Sequence, residues 1–329
     1  MRLLVLGGSG FVGGAVVEAA ADRGWSVTTF NRGRGNRHHP DSHRITGDRT
    51  SVDDLSRLDG RWDAVVDTWA GAPSVVRDSA EFLADRADRY LLISSRAVYA
   101  TPTPRDMNES ADTVPASPDD PAIAYGRDKR GAEMAVEAAF GDRGVLARAG
   151  LILGPGEDLG RLPFWLLRVA RGGRVAAPGP PDLPWRFIDV RDLAGWLLHA
   201  AREGLSGPFN LVAPDGHATT GSVLQAALEV TGADTELVWA DPADIEAAGI
   251  NRFDAFPGWV PPDAELAGLI WTDVSRAVGA GLACRPARET VTDTWNWVLE
   301  RGGTAPRHPD HPHDFPPDEE RRLIARARQ

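Results

Sequence analysis

The sequence of 329 residues contains a single cysteine, Cys284, which excludes an internal disulfide and any zinc site built from several cysteines. It also lacks a run of about 18 consecutive apolar residues, so we expect no membrane-spanning helix. The N-terminal stretch MRLLVLGG is too short and too rich in glycine to act as a secretory signal. Together these absences predict a cytoplasmic protein.

Positive charge is scarce as well, because 36 lysine and arginine residues stand against 47 aspartate and glutamate residues and leave a net charge of −11. Nucleic-acid-binding proteins usually present a basic face, so this balance argues against a nucleic-acid partner. Lysine itself occurs only once, as Lys129. The alternating His308, His311 and His313 are interpreted as part of a flexible polar tail rather than as a metal site.

The first half of the sequence alternates between short apolar runs and stretches with helical periodicity. Runs such as RLLVL at 2–6, WSVTTF at 25–30 and YLLISS at 90–95 predict strands, and the stretches between them predict helices. Strands that are separated by helices of about 10–15 residues form parallel sheets. We therefore predict an α/β fold with a Rossmann-type doubly wound parallel sheet.

The second half has a looser pattern, in which helices separated by Pro/Gly loops dominate from about residue 214 onward. We predict that residues 1–153 and 186–213 form the dinucleotide-binding Rossmann domain. Residues 154–185 and 214–301 are predicted to form a smaller, mostly helical substrate-binding lobe. The remainder, residues 302–329, is predicted to be a C-terminal tail with a short helix.

The strongest local signal is GGSGFVGG, which directly follows the first predicted strand and opens a helix. Gly7, Gly10 and Gly13 satisfy three needs: a tight turn, close approach of the backbone to a pyrophosphate, and close packing of the helix on the sheet. The amides of Phe11 and Val12 at the helix N-terminus would then face the phosphates. This segment predicts a dinucleotide-binding site.

The end of the second predicted strand decides between NAD and NADP. An acidic residue there would accept hydrogen bonds from the ribose hydroxyls, but the stretch TFNRGRGNR contains none. Asn31 and Arg32 come first, and Arg34 and Arg37 follow. Because a 2′-phosphate favours a cationic, bidentate donor, we predict NADP rather than NAD, with Arg32 as the best candidate.

A proton-transfer site is predicted by YGRDK at 125–129. Tyr125 and Lys129 are four residues apart, so they share one face of a helix. An ammonium favours the phenolate form of a neighbouring phenol, which lets a tyrosine exchange a proton at neutral pH. Arginine is planar and keeps its proton, which is a physical reason to retain one lysine here. Ser94 and Ser95 end the fifth predicted strand, where a serine hydroxyl can bind a substrate carbonyl.

In combination, the glycine pattern, SSRAVY and YGRDK resemble the short-chain dehydrogenase/reductase superfamily. GLILGPG and FIDVRDLA resemble its extended branch, the NAD-dependent epimerase/dehydratase family. The resemblance implies that Ser95 is the catalytic serine, Tyr125 the catalytic acid/base, and Lys129 its partner and a ribose ligand. It also implies a homodimer, because this branch often dimerises through two helices, one of which carries the tyrosine–lysine pair.

The same resemblance assigns further residues to the cofactor. Asp48 in TGDR resembles the acidic residue that contacts the adenine, with Arg49 beside it, and Ala70 resembles a residue near the nicotinamide ribose. The segments FNRGR, GDR and WDAVVDTWA look similar to a divergent bacterial subgroup of reductase-like proteins. They are also similar to chloroplast RNA-binding relatives, which lack the tyrosine–lysine pair that this chain retains.

The sequence departs from the family at positions that bear on the substrate. Family members that dehydrate sugar nucleotides carry an Asp-Glu pair after the catalytic serine, where this chain has Arg96 and Ala97. Sugar-nucleotide enzymes also place a diphosphate-binding arginine where this chain has Trp185. A nucleotide-sugar substrate is therefore disfavoured, and we take Arg96 with Trp69, Trp165 and Trp185 as candidate substrate contacts.

These observations predict an NADP-dependent oxidoreductase that acts on a small-molecule carbonyl or alcohol, with the tyrosine as proton donor or acceptor. Two alternatives stay open. One is an NAD(P)-dependent epimerase, including one with a sugar-type substrate, which would oxidise and re-reduce its substrate. The other is a non-catalytic dinucleotide-binding or RNA-associated protein of the same fold.

Overall fold

The computed structural model of the protein describes residues 1–33, 39–262, 265–306, 308 and 312–327. The chain divides into two compact units. The first unit consists of Met1–Gly150, Val190–Val212 and Thr272–Ala283, and the second of Leu151–Asp189, Ala213–Trp271 and Cys284–Gln329.

The strands of the described residues are short and are separated mainly by helices. In chain order they are β1 (Arg2–Leu6), β2 (Ser26–Asn31), β3 (Ser42–Thr46), β4 (Ala64–Asp67), β5 (Tyr90–Ser95), β6 (Gly144–Ala149), β7 (Leu151–Leu153), β8 (Gly173–Pro178), β9 (Phe187–Asp189), β10 (Gly207–Leu211) and β11 (Thr235–Ala240).

The helices alternate with these strands. They are α1 (Phe11–Asp22), α2 (Val52–Leu55), α3 (Pro73–Leu83), α4 (Tyr125–Phe140), α5 (Arg161–Ala170), α6 (Val190–Glu203), α7 (Thr220–Thr231), α8 (Pro242–Ala247), α9 (Arg252–Ala255), α10 (Ser275–Gly279), α11 (Ala287–Glu300) and α12 (Pro317–Arg326). No helix within the described ranges is both long and apolar enough to cross a bilayer.

The first unit is built on one parallel sheet, to which the described residues contribute seven strands in the order β10–β6–β5–β4–β1–β2–β3. This confirms the predicted doubly wound, Rossmann-type sheet. The strand order reverses between β1 and β4, and α/β proteins bind their ligands at the carboxyl ends of the strands beside such a reversal. The ends of β1, β4 and β5 are therefore the expected location of a site.

The central strands β1, β4 and β5 are mostly apolar along their length because both of their faces are covered. Leu4, Leu6 and Phe30 pack in the same core cluster as residues of α3 and α4. Their neighbours Leu3 and Val5 point to the opposite face and are also fully buried. Runs such as RLLVL therefore lack the apolar–polar alternation of a sheet with one solvated face.

The second unit combines helices with two small parallel sheets, β7–β9 and β8–β11. Trp165, Phe256 and Phe315 are among the residues of its buried core. The strands β8 and β11 were not predicted, since GRVAAP and TELVWA lie among loop and helix signals. They form a sheet only by pairing with each other across more than fifty residues of chain, which no local pattern reveals.

The unit boundaries and one strand differ from the prediction. The boundaries expected at 153 and 186 lie at 150 and 190, and Thr272–Ala283 belongs to the first unit rather than to the lobe. The residues after 302 are part of the second unit and not a separate tail. The apolar run VLARAGLIL at 145–153 predicts one strand, but the structure interrupts it at Gly150, where a Cβ would lie 2.8 Å from both the Arg96 guanidinium and Val212.

Candidate active site

The loop between β1 and α1 is so tight that two of its glycines are required by packing alone. Gly7 has a φ of +100°, and a Cβ there would lie 2.2 Å from Thr68 Oγ1. A Cβ on Gly13 would lie 2.2 Å from the carbonyl oxygen of Gly7, so only glycine lets α1 approach the loop. A Cβ on Gly10 would meet only that same oxygen, at 3.8 Å, and would otherwise project into open space.

The open space at Gly10 adjoins the N-terminus of α1. In the described residues no side chain caps this helix, and Gly10 occupies its N-cap position. The amides of the first turn, including those of Phe11 and Val12, carry the partial positive charge of a helix N-terminus. An uncapped helix start beside a space that a Cβ would fill fits the pyrophosphate of a dinucleotide.

The segment after β2 begins with a tight turn, in which Asn31 Oδ1 accepts a hydrogen bond of 3.0 Å from the amide of Gly33. Arg32 lies exposed in this turn. The guanidinium of Arg44, on the neighbouring strand β3, comes within 3.1 Å of the position that a Cβ on Gly33 would take. Sequence reasoning missed Arg44, because only the β2–β3 register brings it to this end of the sheet.

The two cations after β2 have no hydrogen-bond or ion-pair partner among the residues that the structure describes, and neither Arg32 nor Arg44 is buried. The further candidates Arg34 and Arg37 lie outside the described residues, as does His311 of the histidine tail. The guanidinium groups of Arg32 and Arg44, which have no partner within the described ranges, are suited to bind an anion near the ribose.

The end of β4 carries a buried carboxylate that the sequence analysis did not single out. Asp67 is fully buried and pairs with Arg49, whose Nη2 donates to Asp67 Oδ2 at 2.7 Å. Arg49 is 8% exposed, which corrects the prediction that it lies beside the cofactor. Asp48 is half-buried, and its Oδ1 accepts hydrogen bonds from the amide and the hydroxyl of Thr50.

Trp69, two residues after Asp67, is held through its backbone amide, its indole nitrogen and its ring. Its amide donates to Asp67 Oδ1 at 2.9 Å, and its indole Nε1 donates to the carbonyl oxygen of Ala72 at 2.9 Å. The Arg49 guanidinium lies 5.2 Å from the centre of its ring. The next residue, Ala70, is exposed at the same edge of the sheet.

At the end of β5 the structure separates the roles of two adjacent serines. Ser94 is buried and donates to Glu133 Oε1 at 2.7 Å. Ser95 is half-buried, and its Oγ accepts a hydrogen bond of 3.1 Å from the amide of Ala97. The hydroxyl proton of Ser95 is therefore the one that can be donated to a ligand.

Arg96 begins the 3-10 turn Arg96–Val98 that follows Ser95. It is 6% exposed, and its Nη1 donates to Thr272 Oγ1 at 2.7 Å. This burial corrects the expectation that Arg96 contacts a substrate. Its guanidinium instead links the turn to Thr272 within the first unit.

Helix α4 places the tyrosine beside the turn that follows Ser95. A Cβ on Gly126 would lie 2.3 Å from the carbonyl oxygen of Ala97, so the helix start can contact that turn only because residue 126 is glycine. Tyr125, the first residue of α4, is 53% exposed at the same edge of the sheet as Ser95. The first turn of α4, which carries Tyr125, therefore packs against the turn that directly follows Ser95.

Lys129 lies one turn further along α4 and is buried, with 3% exposed. Its Nζ donates to the carbonyl oxygens of Trp69 and, at 2.7 Å, of Ile93. The same Nζ lies 5.9 Å from the centre of the Tyr125 ring. The ammonium is therefore held between β4, β5 and the tyrosine.

The electrostatic setting of Lys129 combines burial with three nearby charges. Burial lowers the pKa of its ammonium to about 8. The carboxylate of Asp67 acts in the opposite direction and raises this pKa, the guanidinium of Arg49 lowers it further, and Glu133 raises it. The lysine can therefore lose its proton only a little above neutral pH.

Asp128 is a second residue that sequence reasoning missed. It is buried, and its Oδ1 accepts hydrogen bonds from the amides of Ile123 at 2.9 Å and Ala124 at 3.3 Å. Ala124 occupies the N-cap position of α4 and has no side-chain oxygen to cap the helix. Asp128 therefore binds the amides of the N-cap residue and of the residue before it, which fixes the chain immediately before Tyr125.

The two predicted substrate tryptophans outside the first unit are core residues. Trp165 is 1% exposed, stacks on Phe256, and donates its Nε1 proton to the carbonyl oxygen of Pro257 at 3.1 Å. Trp185 is 4% exposed and packs edge-on against Trp165. Their burial within the second unit corrects the prediction that they form a substrate wall.

Comparisons with known proteins agree with this geometry. The family model described as "NAD dependent epimerase/dehydratase family" matches residues 3–211. The epimerase family protein SDR39U1 of Bos taurus is 30% identical over 257 residues, which cover 69% of this chain and 79% of that protein. A UDP-glucose 4-epimerase of Azospirillum brasilense is 29% identical over 325 residues, covering 83% of this chain and 91% of the epimerase.

A reductase and several solved structures are also similar. The 2'-dehydrokanamycin reductase of Streptomyces kanamyceticus is 30% identical over 211 residues, covering 60% of this chain and 57% of the reductase. The enzyme WbmH of Bordetella bronchiseptica, solved in complex with NAD+, superposes with a TM-score of 0.69 at 18% identity, covering 92% and 99% of the two chains. A putative epimerase from Burkholderia cenocepacia gives a TM-score of 0.70 at 23% identity, covering 90% and 97%. At these identities the superpositions show a common fold.

Proposed function

The chain belongs to the NAD-dependent epimerase/dehydratase family of the extended short-chain dehydrogenases/reductases, and on that premise we propose that it is an NADP-dependent oxidoreductase acting on the carbonyl or alcohol group of a small molecule. The observation that carries the proposal is the position of three side chains. Ser95 ends β5, Tyr125 begins α4 next to the turn that follows Ser95, and Lys129 Nζ lies 5.9 Å from the centre of the Tyr125 ring and donates to the carbonyl oxygen of Ile93 in β5.

The cofactor would be held by the first unit. The loop from Gly7 to Gly13 and the N-terminus of α1 would bind its pyrophosphate, and the segment Asn31–Arg32 its adenosine ribose. Ala70 and Lys129 would lie near the nicotinamide ribose. A bound nicotinamide supplies or accepts the hydride at the substrate carbon.

The protein side chains handle the substrate oxygen. In the reductive direction Ser95 donates a hydrogen bond to the carbonyl and orients it, and Tyr125 transfers its phenolic proton to the oxygen as the carbon receives the hydride. Lys129 stabilises the phenolate that Tyr125 leaves behind, because its ammonium lies next to the ring. In the oxidative direction the same groups act in reverse.

Net consumption of reduced cofactor tests the direction of this chemistry. We expect the purified protein to deplete NADPH absorbance with at least one member of a library of small-molecule ketones and aldehydes. An epimerase oxidises and re-reduces its substrate, so it would change substrate configuration without net loss of NADPH. Epimerised products without cofactor depletion would contradict the oxidoreductase assignment.

The epimerase alternative is supported by the UDP-glucose 4-epimerases among the relatives. Against it stands Trp185, which is buried where sugar-nucleotide enzymes place a diphosphate-binding arginine. The 2'-dehydrokanamycin reductase among the relatives shows that a reductase is compatible with this degree of similarity. The cytoplasmic location and the homodimer stay predictions.

The preference for NADP is proposed from Arg32 and Arg44, which have no partner in the part of the chain that the structure describes, although the neighbouring structures WbmH and WbmG were solved with NAD. We expect NADP to raise the melting temperature more than NAD does. Arg32→Ala should weaken NADP binding by about tenfold, because one hydrogen bond to a charged group is lost, and should leave NAD binding within about twofold.

A matched control for this variant is Arg61→Ala. Arg61 is exposed in the same unit but precedes β4, at the opposite edge of the sheet, so its loss should change the affinity for neither dinucleotide. Isothermal titration calorimetry of wild type and both variants with NAD and with NADP supplies the affinities needed. Equal loss of NAD and NADP binding in Arg32→Ala, or stronger stabilisation of wild type by NAD, would contradict the NADP proposal.

A further inference from the structure

A buried polar cluster lies beneath the end of β4, and the reaction proposed above does not use it directly. It consists of Asp67, Arg49, Tyr90 and Ser79. Arg49 Nη2 donates to Asp67 Oδ2 at 2.7 Å and to Ser79 Oγ at 2.9 Å, and the Tyr90 hydroxyl donates to Asp67 Oδ2 at 2.5 Å. Asp67, Tyr90 and Ser79 are completely buried.

The protonation states of the cluster are set by these contacts. Burial opposes the charge on Asp67, but Arg49, Tyr90 and the Trp69 amide together hold the pKa of Asp67 below its usual range. Burial and the Asp67 carboxylate raise the pKa of Tyr90 well above its ordinary value, so its hydroxyl stays a donor. The cluster is thus a stable carboxylate surrounded by donors.

Trp69 connects this carboxylate to the proposed proton-transfer site. The amide of Trp69 donates to Asp67 Oδ1 at 2.9 Å, and the carbonyl oxygen of the same residue accepts from Lys129 Nζ. Both contacts are made by backbone atoms of Trp69, so the orientation of its backbone determines where the carbonyl points. The second acceptor for Lys129, the carbonyl of Ile93, belongs to β5 and is fixed by the sheet.

We propose that Asp67 is a positioning residue, which holds the backbone of Trp69 so that its carbonyl fixes the Lys129 ammonium beside Tyr125. The consequence for catalysis rests on the proposed function, whereas the positioning of Lys129 does not. A buried ion pair often contributes little net stability compared with apolar residues of similar volume. Stability alone is therefore a weak reason for this chain to bury Asp67 and Arg49.

Asp67 can act on Lys129 through its hydrogen bond with the Trp69 amide or through its negative charge, and the two effects must be tested separately. Removing Asp67 alone would leave Arg49 as an uncompensated buried cation and endanger folding. Two double variants avoid this problem: Asp67→Asn/Arg49→Met and Asp67→Leu/Arg49→Met. Both variants lose the charges of Asp67 and Arg49 near Lys129, and both keep Glu133 and Tyr125. They differ in that only asparagine retains an oxygen that can accept the Trp69 amide.

The lone lysine provides a direct readout. In protein labelled with ¹³Cε-lysine, Lys129 gives a single signal, whose shift and titration report the environment of its ammonium without any substrate. The comparison is made with wild-type protein at a pH where Lys129 is protonated to the same degree. We expect the chemical shift and linewidth of the lysine signal in the asparagine variant to be close to those of wild type. In the leucine variant the signal should move and broaden. Circular dichroism and melting temperature establish that both variants fold.

Activity provides the second readout. The leucine variant should lose kcat/KM on the order of 100-fold relative to the asparagine variant, because a misplaced catalytic partner is that costly. The loss should appear in kcat. The Kd of ADP-ribose, which contains the pyrophosphate but not the nicotinamide, should be unchanged. A leucine variant with the lysine signal and the kcat/KM of the asparagine variant overturns the proposal.

The two double variants can also change the Lys129 signal to the same extent. If both double variants lose the Lys129 environment equally, the charge of Asp67 and not its hydrogen bond to Trp69 is what matters, and the positioning role is wrong. If the wild-type protein shows no oxidoreductase activity, the proposed function fails. The comparison of lysine signals still tests the positioning role in that case, so the two failures are distinguishable.

Discussion

Replacing Tyr125 by phenylalanine should lower kcat by between about 100- and 10,000-fold, the contribution expected of a general acid. The variant should fold normally, because the phenol is 53% exposed and its hydroxyl has no hydrogen-bond partner in the described part of the chain. Dinucleotide binding should be retained, since the glycine turn and the start of α1 are unchanged. The loss should therefore appear in kcat and not in cofactor affinity.

Tyr99→Phe is the matched control for this substitution. The Tyr99 hydroxyl is buried and donates to Asn210 Oδ1 at 2.6 Å, so its removal should reduce the free energy of unfolding by about 1 kcal/mol. It should leave kcat within a few-fold of wild type. Tyr125→Phe should thus lower kcat without lowering stability, and Tyr99→Phe should lower stability with little effect on kcat. Steady-state kinetics and urea unfolding of both distinguish them, and an undiminished kcat in Tyr125→Phe would remove Tyr125 from the mechanism.

The sequence was sufficient to place the elements whose signals are local. The glycine turn, the strands of the parallel sheet and helix α4 each have a periodicity or motif within a few residues, and the structure places them as predicted. Ser95, Tyr125 and Lys129 could be chosen because a strand end and a helix face follow from spacing alone. That they act together stays a prediction.

The residues that were missed or misassigned depend on contacts between distant parts of the chain. Asp67 and Arg49 are 18 residues apart, and only the arrangement of the strands makes them a buried pair. Arg49 was assigned to a cofactor through the resemblance of TGDR to the family, and nothing in the local sequence distinguishes a surface arginine from a paired core arginine. Trp165 was misassigned for a related reason, because burial of a tryptophan depends on the packing partners that surround it.

The other large effect is expected from Lys129→Met, and it concerns stability as a function of pH. The folded lysine has a pKa of about 8, below the value of 10.5 for the free side chain. Between these pH values the unfolded chain binds one more proton than the folded chain, so wild-type stability rises with pH relative to the methionine variant. Below pH 8 the destabilising effect of the buried ammonium is fully present. The 2.5-unit difference corresponds to a gain of roughly 3 kcal/mol across the window.

Urea unfolding of wild type and Lys129→Met at pH 7.5, 9 and 10.5 measures this difference directly. Other groups that titrate in the window are common to both proteins and cancel in the comparison. Arg127→Met serves as control, because Arg127 is exposed on the same helix and should give a difference that does not change with pH. Lys129→Met should also lose kcat, and Lys129→Arg should not restore it, because a planar guanidinium does not fit between the carbonyls of Trp69 and Ile93. A pH-independent stability difference between wild type and Lys129→Met would show that the ammonium is not buried as the structure has it. The link between Lys129 and the phenol of Tyr125 would then lose its physical basis.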